Sequence, residues 1–96
     1  MLSEIPKGFE KIKEGKITDS ELARIGMIAE LDAINLYEQL AALAKDPLLK
    51  RVFLDIANEE KTHLGEFLEI LKKYDPKQVE EIEKGSKEVE ELKKNK

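Results

Sequence analysis

The chain has 96 residues and no cysteine, which predicts one small domain and excludes disulfides, zinc ribbons and iron–sulfur clusters. Its formal charge is −4, and residues 18–74 alone hold seven basic against eleven acidic side chains. That acidic centre favours cation handling over a basic nucleic-acid interface, and without a long apolar run or a signal peptide the sequence predicts a cytoplasmic protein with no membrane span.

Three predicted segments follow one another: an N-terminal arm at 1–17, a helical hairpin at 18–74, and a short C-terminal helix with a tail or linker at 75–96. No segment has the alternating pattern of a β-strand. Because the joints have only two or three residues, consecutive helices should be antiparallel neighbours. The predicted fold class is therefore all-α, with a two-helix hairpin and a third, shorter helix.

Capping residues mark the boundaries of the hairpin helices. Thr18 and Glu21 form the Thr-x-x-Glu pattern of a capping box, which starts a helix that runs from about 20 to about 44. Asp46, followed by a proline, ends that helix and starts a second one that runs to about residue 73.

Glycines mark a possible break and two close approaches. Asp75-Pro76 starts the third helix, in which Gly85-Ser86 is expected to cause an interruption. Gly26 and Gly65 lie inside the hairpin helices, where each costs about 1 kcal/mol relative to alanine. Close approach of a neighbouring helix is the plain explanation for both.

The first helix is apolar around most of its circumference. One row of its residues is Leu22, Ile25, Ala29, Ala33, Leu36, Leu40 and Leu43, and another contains Ala23, Met27, Ile34, Tyr37, Ala41 and Ala44. A hairpin of two helices cannot cover that much apolar surface, and a helix that is apolar nearly all round must be buried on more than one side. The sequence therefore predicts association between copies of the chain.

Glu60 and His63 form a Glu-x-x-His step on the apolar face of the second helix. Three residues apart on a helix, they point the same way. An unpaired carboxylate on an apolar face is costly, so it needs a cation or a proton. Glu30 lies 16 residues before Asp46, and Glu60 and His63 lie 14 and 17 residues after it, which places the three level across the hairpin.

This residue set is half of a known kind of metal site. Ferritin-like di-iron carboxylate sites take two single glutamates and two Glu-x-x-His steps from four helices, and the chain has one of each. A second copy is therefore predicted to complete the site. Iron or manganese suits these ligands, while zinc usually prefers a closed tetrahedral shell. The plainer interpretations are a solvated pair and a histidine packed in the core.

The stretch from Ile28 to Tyr37, joined by a short Asp-Pro turn to the stretch from Asp55 to His63, resembles the encapsulated ferritin family over about residues 20–75. The resemblance implies a half-bundle whose four-helix bundle is completed by dimerisation, with a di-iron ferroxidase centre between two subunits. It also implies that dimers close into an annular homodecamer. The expected activity is oxidation of Fe²⁺ to Fe³⁺ for iron storage inside an encapsulin nanocompartment.

By position, the family's metal ligands fall on Glu30, Glu60 and His63, and its tyrosine falls on Tyr37. Tyr37 is two turns after Glu30 on the same face. Its expected role is a hydrogen bond to a ligand carboxylate or local electron donation, and the alternative is packing of its ring in the core.

The chain departs from the family pattern in three places. Ala29 and Leu36 stand where members often have a carboxylate and a tryptophan, so an outer entry site is altered or depends on Asp32. The family's short targeting peptide is not visible in Glu80–Lys96, which predicts truncation or fusion to the shell protein with this tail as linker.

Two rival functions stay open. A rubrerythrin-like peroxide reductase would normally need a Cys₄ iron for its electrons, and this chain has no cysteine. A non-catalytic helical oligomerisation module would leave the level Glu, Glu and His set unexplained. Binding of a metal separates the second rival from the ferroxidase.

Overall fold

The computed structural model describes residue 15 and residues 17–95. This part of the chain forms three α-helices and no strand: α1 is Asp19–Leu43, α2 is Pro47–Tyr74 and α3 is Pro76–Lys94. The predicted bounds of α1 and α2 agree with these to within one residue. Almost all of the predicted N-terminal arm lies outside the described residues.

The predicted capping box at the start of α1 is confirmed. The Glu21 N–H donates to Thr18 Oγ1 at 3.2 Å, and the Thr18 N–H donates to Glu21 Oε1 at 3.1 Å. These two bonds satisfy backbone donors that have no partner within the helix. The start of α1 is therefore fixed by its own sequence.

Aspartate side chains cap the other two helices. Asp46 accepts a hydrogen bond from the Leu48 N–H at 3.0 Å, and Asp75 accepts one from the Gln78 N–H at 3.3 Å. In both cases the next residue is a proline in the first turn, where the missing N–H costs nothing. The chain therefore turns sharply at both places.

α1 and α2 pack against each other in antiparallel orientation. Tyr37 packs on Phe53 near the turn, with ring centroids 6.1 Å apart, whereas Gly26 meets Phe67 far from the turn. The buried residues of the described chain lie on these two helices: Ala23, Ala33, Ala41, Ala57 and Leu71. Because four of the five are alanines, the helices of the hairpin can approach closely.

Large apolar side chains remain exposed over much of the described surface: Leu22, Ile28, Leu31, Leu43, Leu48, Leu49, Val52, Leu54, Ile70, Tyr74, Ile82, Val89 and Leu92. The described chain buries one large side chain completely, that of Leu71. Much of the apolar surface of the described residues is therefore not covered within one chain.

The third helix leaves α2 after the single residue Asp75, whose carboxylate accepts a hydrogen bond from the Arg24 guanidinium of α1. α3 is continuous, so the interruption expected at Gly85-Ser86 is wrong. One glycine costs a helix only about 1 kcal/mol, and the surrounding glutamates and lysines are good helix formers. None of its residues is buried, and no helix in the described part of the chain is long and apolar enough to span a membrane.

Candidate metal centre

Glu30, Glu60 and His63 come together between α1 and α2. One side-chain ligand atom from each residue lies within 4.8 Å of the other two. The three are the residues that the sequence analysis singled out, and the cluster joins a side chain of α1 to two of α2. Its formation depends on the packing of the two helices and not on a local turn.

Glu60 lies on the inner face of α2, as predicted, whereas the side chain of His63, predicted on the same face, is 45% exposed. Glu60 has 20% of its side chain exposed, while Glu59, Glu66 and Glu69 of the same helix are exposed. The buried Ala57 is three residues before Glu60, on the same side of the helix. The interpretation of Glu-x-x-His as a fully solvated pair is therefore wrong for Glu60.

Glu30 is the most enclosed of the three, with 16% of its side chain exposed. Its Oε2 atom is buried and has no hydrogen-bond partner. The nearest basic atom is His63 Nδ1 at 3.6 Å, which is longer than a normal N–H···O bond. A buried carboxylate oxygen without a partner is costly, so binding of a cation or a proton would stabilise this site.

The direction of the pKa shift of Glu30 agrees with this conclusion. Burial raises the pKa of Glu30 above its usual value of 4.5, the neighbouring Glu60 carboxyl raises the pKa further, and His63 lowers it. His63 Nδ1 lies 3.7 Å from Glu60 Oε2, so the imidazole faces both carboxyl groups. The carboxyl groups of Glu30 and Glu60 therefore lie close to each other and to His63.

Two basic side chains of the hairpin are paired with acidic residues outside the cluster. Lys61 contacts Glu38 at 3.2 Å, and Arg24 contacts Asp75. Within residues 17–95, no lysine or arginine forms an ion pair with Glu30 or Glu60. The charge of the cluster is thus not balanced by any lysine or arginine of the described chain.

The donor set fits a transition metal with open coordination positions. Two carboxylates and one imidazole are ligands that iron and manganese accept, and three donors leave positions free for further ligands. The His63 side chain is 45% exposed, so the cluster is open on one side of the hairpin. That open side is where a second set of ligands could reach the same metal.

Tyr37 lies two turns after Glu30 on α1 and has no described hydrogen bond to the cluster. Its ring packs against Phe53 with an angle of 34° between the ring planes. The described contact agrees with a packing role, and a role at the metal site stays a prediction. Asp32 is exposed on α1, and its role as an entry position also stays a prediction.

The partners in two contacts of the hairpin were not predicted. The Arg24–Asp75 bond links α1 to the α2–α3 joint, and the Phe67 ring lies directly against Gly26. Gly26, inside α1, predicted the close approach of a neighbouring helix, but the sequence did not identify Phe67 as the residue in contact. Gly65, for which a close neighbour was also expected, has no described atom within 4 Å of where a Cβ would be.

Comparison with known proteins gives consistent results. A family model described as EncFtn-like matches residues 5–87. The chain is 51% identical over 72 residues to a ferritin-like-encapsulin shell fusion protein of Pyrococcus furiosus, a match that covers 75% of this chain and 21% of that protein. It is 35% identical over 74 residues to the encapsulin nanocompartment cargo protein EncC of Myxococcus xanthus, covering 74% of this chain and 57% of EncC. The chain thus spans from about a fifth to over half the length of these curated relatives.

The structure is similar to the crystal structure of the encapsulated ferritin domain from Pyrococcus furiosus. The TM-score is 0.73 at 42% sequence identity, and the match covers 96% of this chain and 87% of that one. The resemblance drawn from the sequence is therefore confirmed, and so is an all-α, ferritin-like fold.

Proposed function

The chain belongs to the EncFtn-like family, and we propose that it is a ferroxidase that oxidises Fe²⁺ to Fe³⁺ at a di-iron site shared between two copies. One observation supports this most strongly. Glu30, Glu60 and His63 meet within 4.8 Å, and a buried oxygen of Glu30 has no partner. The same three residues are our proposed metal ligands.

The shared site follows from what one chain lacks. Three donors do not complete the coordination of one iron ion, and the side of the cluster at His63 is open. A second copy would supply another single glutamate and another Glu-x-x-His step, as four-helix carboxylate sites require.

Each residue has a distinct task in the proposed reaction. Glu30 and Glu60 hold the cationic substrate by charge, and His63 donates a ring nitrogen to it. With dioxygen as oxidant, two Fe²⁺ ions each give one electron, and the dioxygen takes up two protons and leaves as hydrogen peroxide. With hydrogen peroxide as oxidant, the same number of electrons and protons is taken up and the product is water. The protein fixes the distance between the ligands and leaves positions open for the oxidant.

We extend the proposal to the cell by way of the relatives. One relative is named as a fusion to an encapsulin shell and another as an encapsulin cargo protein. We therefore propose that this protein acts inside an encapsulin nanocompartment, where the oxidised iron is stored. Closure of dimers into an annular decamer belongs to the same proposal.

An anaerobic titration with Fe²⁺ followed by exposure to air tests the activity. Growth of ferric absorbance much faster than in protein-free buffer is the expected result, with saturation near one iron per chain. A parallel experiment with hydrogen peroxide in place of air identifies the oxidant. If the chain neither binds Fe²⁺ nor speeds its oxidation, the exposed apolar faces favour the non-catalytic oligomerisation module instead.

A further inference from the structure

The distance between α1 and α2 at the ligand cluster is set by local packing. Glu30 belongs to one helix, and Glu60 and His63 belong to the other. The turn that joins the helices is about 16 residues away along α1, or roughly 24 Å of helix. Two long helices can separate far from their turn, so something close to the cluster must hold them together.

Gly26 and Phe67 make such a contact one helical turn from the cluster. Gly26 is four residues before Glu30 and Phe67 is four residues after His63, so each lies on the same face as the ligand next to it. A Cβ on Gly26 would lie 2.8 Å from both Cε1 and Cζ of the Phe67 ring. Real Cβ atoms do not approach that closely, and the ring therefore uses the space that a side chain would fill.

The contact is specific to this glycine. Gly65 and Gly85 also lie inside helices, and each has nothing within 4 Å of the Cβ position among the described atoms. On the other side of the cluster, toward the turn, the buried Ala33 and Ala57 keep the helices close. The helices thus approach closely on both sides of the cluster. Farther from the turn than Gly26, the buried Ala23 and Leu71 and the Arg24–Asp75 bond also hold the helices together.

We propose that Gly26 is a positioning residue for Glu30. Because it has no side chain, the Phe67 ring can pack against α1, and this packing keeps the Glu30 carboxylate within reach of Glu60 and His63. The inference rests on the proposed metal site. It names a residue that touches no metal yet helps to place Glu30 beside the two ligands of the other helix.

The test compares full-length wild type with Gly26→Ala, Phe67→Leu, the double variant and Gly85→Ala. Each is measured for its melting temperature without metal, for the rise in melting temperature with Mn²⁺, and for the rate of Fe²⁺ oxidation in air. Gly26→Ala should weaken Mn²⁺ binding by on the order of tenfold, as is typical when a residue that supports a metal ligand is changed. Phe67→Leu in the same chain should restore it, because leucine leaves room for the new methyl group.

Gly85→Ala controls for the helix-forming preference of alanine and should bind Mn²⁺ as wild type does. Wild-type affinity and oxidation rate in Gly26→Ala would overturn the inference, as would a loss of binding that the second substitution fails to restore. If Gly26→Ala does not fold, the double variant decides: folding with wild-type binding supports the inference, and folding without binding overturns it. If wild type itself neither binds Mn²⁺ nor oxidises Fe²⁺, the proposed function fails and the inference fails with it.

Discussion

The hairpin of α1 and α2 differs from α3 in how its side chains interact. In the hairpin, ion pairs and ring contacts join residues far apart in sequence, such as Glu38 with Lys61 and Tyr37 with Phe53. In α3 the described ion pairs are local: Lys77–Glu81, Lys93–Glu90 and Lys94–Glu91. Local pairs support a helix but add little to a tertiary fold. We therefore expect the proposed oxidation of iron to depend on the hairpin, and α3 to be separable from it.

The largest expected effect comes from removing a ligand in the hairpin. Glu60→Ala and His63→Ala should each abolish rapid iron oxidation, because both remove a donor from one shared site. Helicity should stay near wild type, since neither side chain caps a helix or fills the core. Stopped-flow absorbance after mixing Fe²⁺ with air-saturated buffer measures the rate, and circular dichroism measures the helicity.

Glu66→Ala is the matched control for these variants. Glu66 is exposed on the same helix, so its removal should leave the oxidation rate nearly unchanged. A full rate in either ligand variant would contradict the assignment of the site.

Next in size is the effect of metal on assembly. In a dimer without metal, Glu30 and Glu60 of both chains would place four carboxylates in one poorly solvated site, and their repulsion opposes association. Two divalent cations cancel those charges and stabilise the assembled form by mass action, by about 2.7 kcal/mol at a hundredfold excess over Kd. Light scattering with and without Mn²⁺ should therefore show a shift from monomer towards dimer or ring.

Glu60→Gln sharpens this prediction. The variant removes two of the four repelling charges, so assembly without metal should become easier and the dependence on metal weaker. Identical masses at every Mn²⁺ concentration, down to the lowest protein concentration measurable, would count against a site shared between chains.

The same contrast between local and distant contacts explains what could be predicted from the sequence. Helix ends are determined by neighbours along the chain, so Thr18, Asp46 and Asp75 were assigned correctly as caps. Counting residues on both sides of the short turn predicted that Glu30 and His63 lie at the same height along the hairpin. The Arg24–Asp75 bond could not be predicted, since the angle at which α3 leaves α2 has no local signature. The partner of Gly26 depends in the same way on rotation of one helix against the other.

A smaller effect is expected from Glu30→Gln in the metal-free protein. The raised pKa of Glu30 means that the folded state holds the carboxyl proton more tightly than the unfolded chain does. Its contribution to stability is fully present below the unfolded pKa and is lost as pH rises through the folded pKa. Above the folded pKa the charged carboxylate is therefore less favourable in the folded protein than in the unfolded chain, and glutamine, which carries no charge, should stabilise the metal-free protein.

Urea unfolding at pH 5 and at pH 7, with a chelator present, measures this effect. Wild type should lose stability between the two values relative to Glu30→Gln, and the variant should gain little from Mn²⁺. Lower stability of the metal-free variant at pH 7 would mean that the buried carboxylate has a partner that stabilises it.

The smallest effect on chemistry should follow from shortening α3, which tests the comparison of the two regions directly. Every described residue from Glu80 onward is exposed, and the proposed ligands all lie before α3. A chain that ends before Gly85 should therefore oxidise iron at the wild-type rate per site. A chain that ends before Lys77 also loses Gln78 and Ile82, which line an apolar groove beside Leu71. Because Ile82 is 43% exposed and thus only partly covered, its loss should lower stability by about 1 kcal/mol. Light scattering on both can still reveal a smaller ring, because the apolar side chains Val89 and Leu92 are exposed on α3.

If the shorter chain is monomeric and binds no iron, then α3 takes part in the interface that completes the site. In that case the division between a hairpin that holds the site and a separable α3 is wrong.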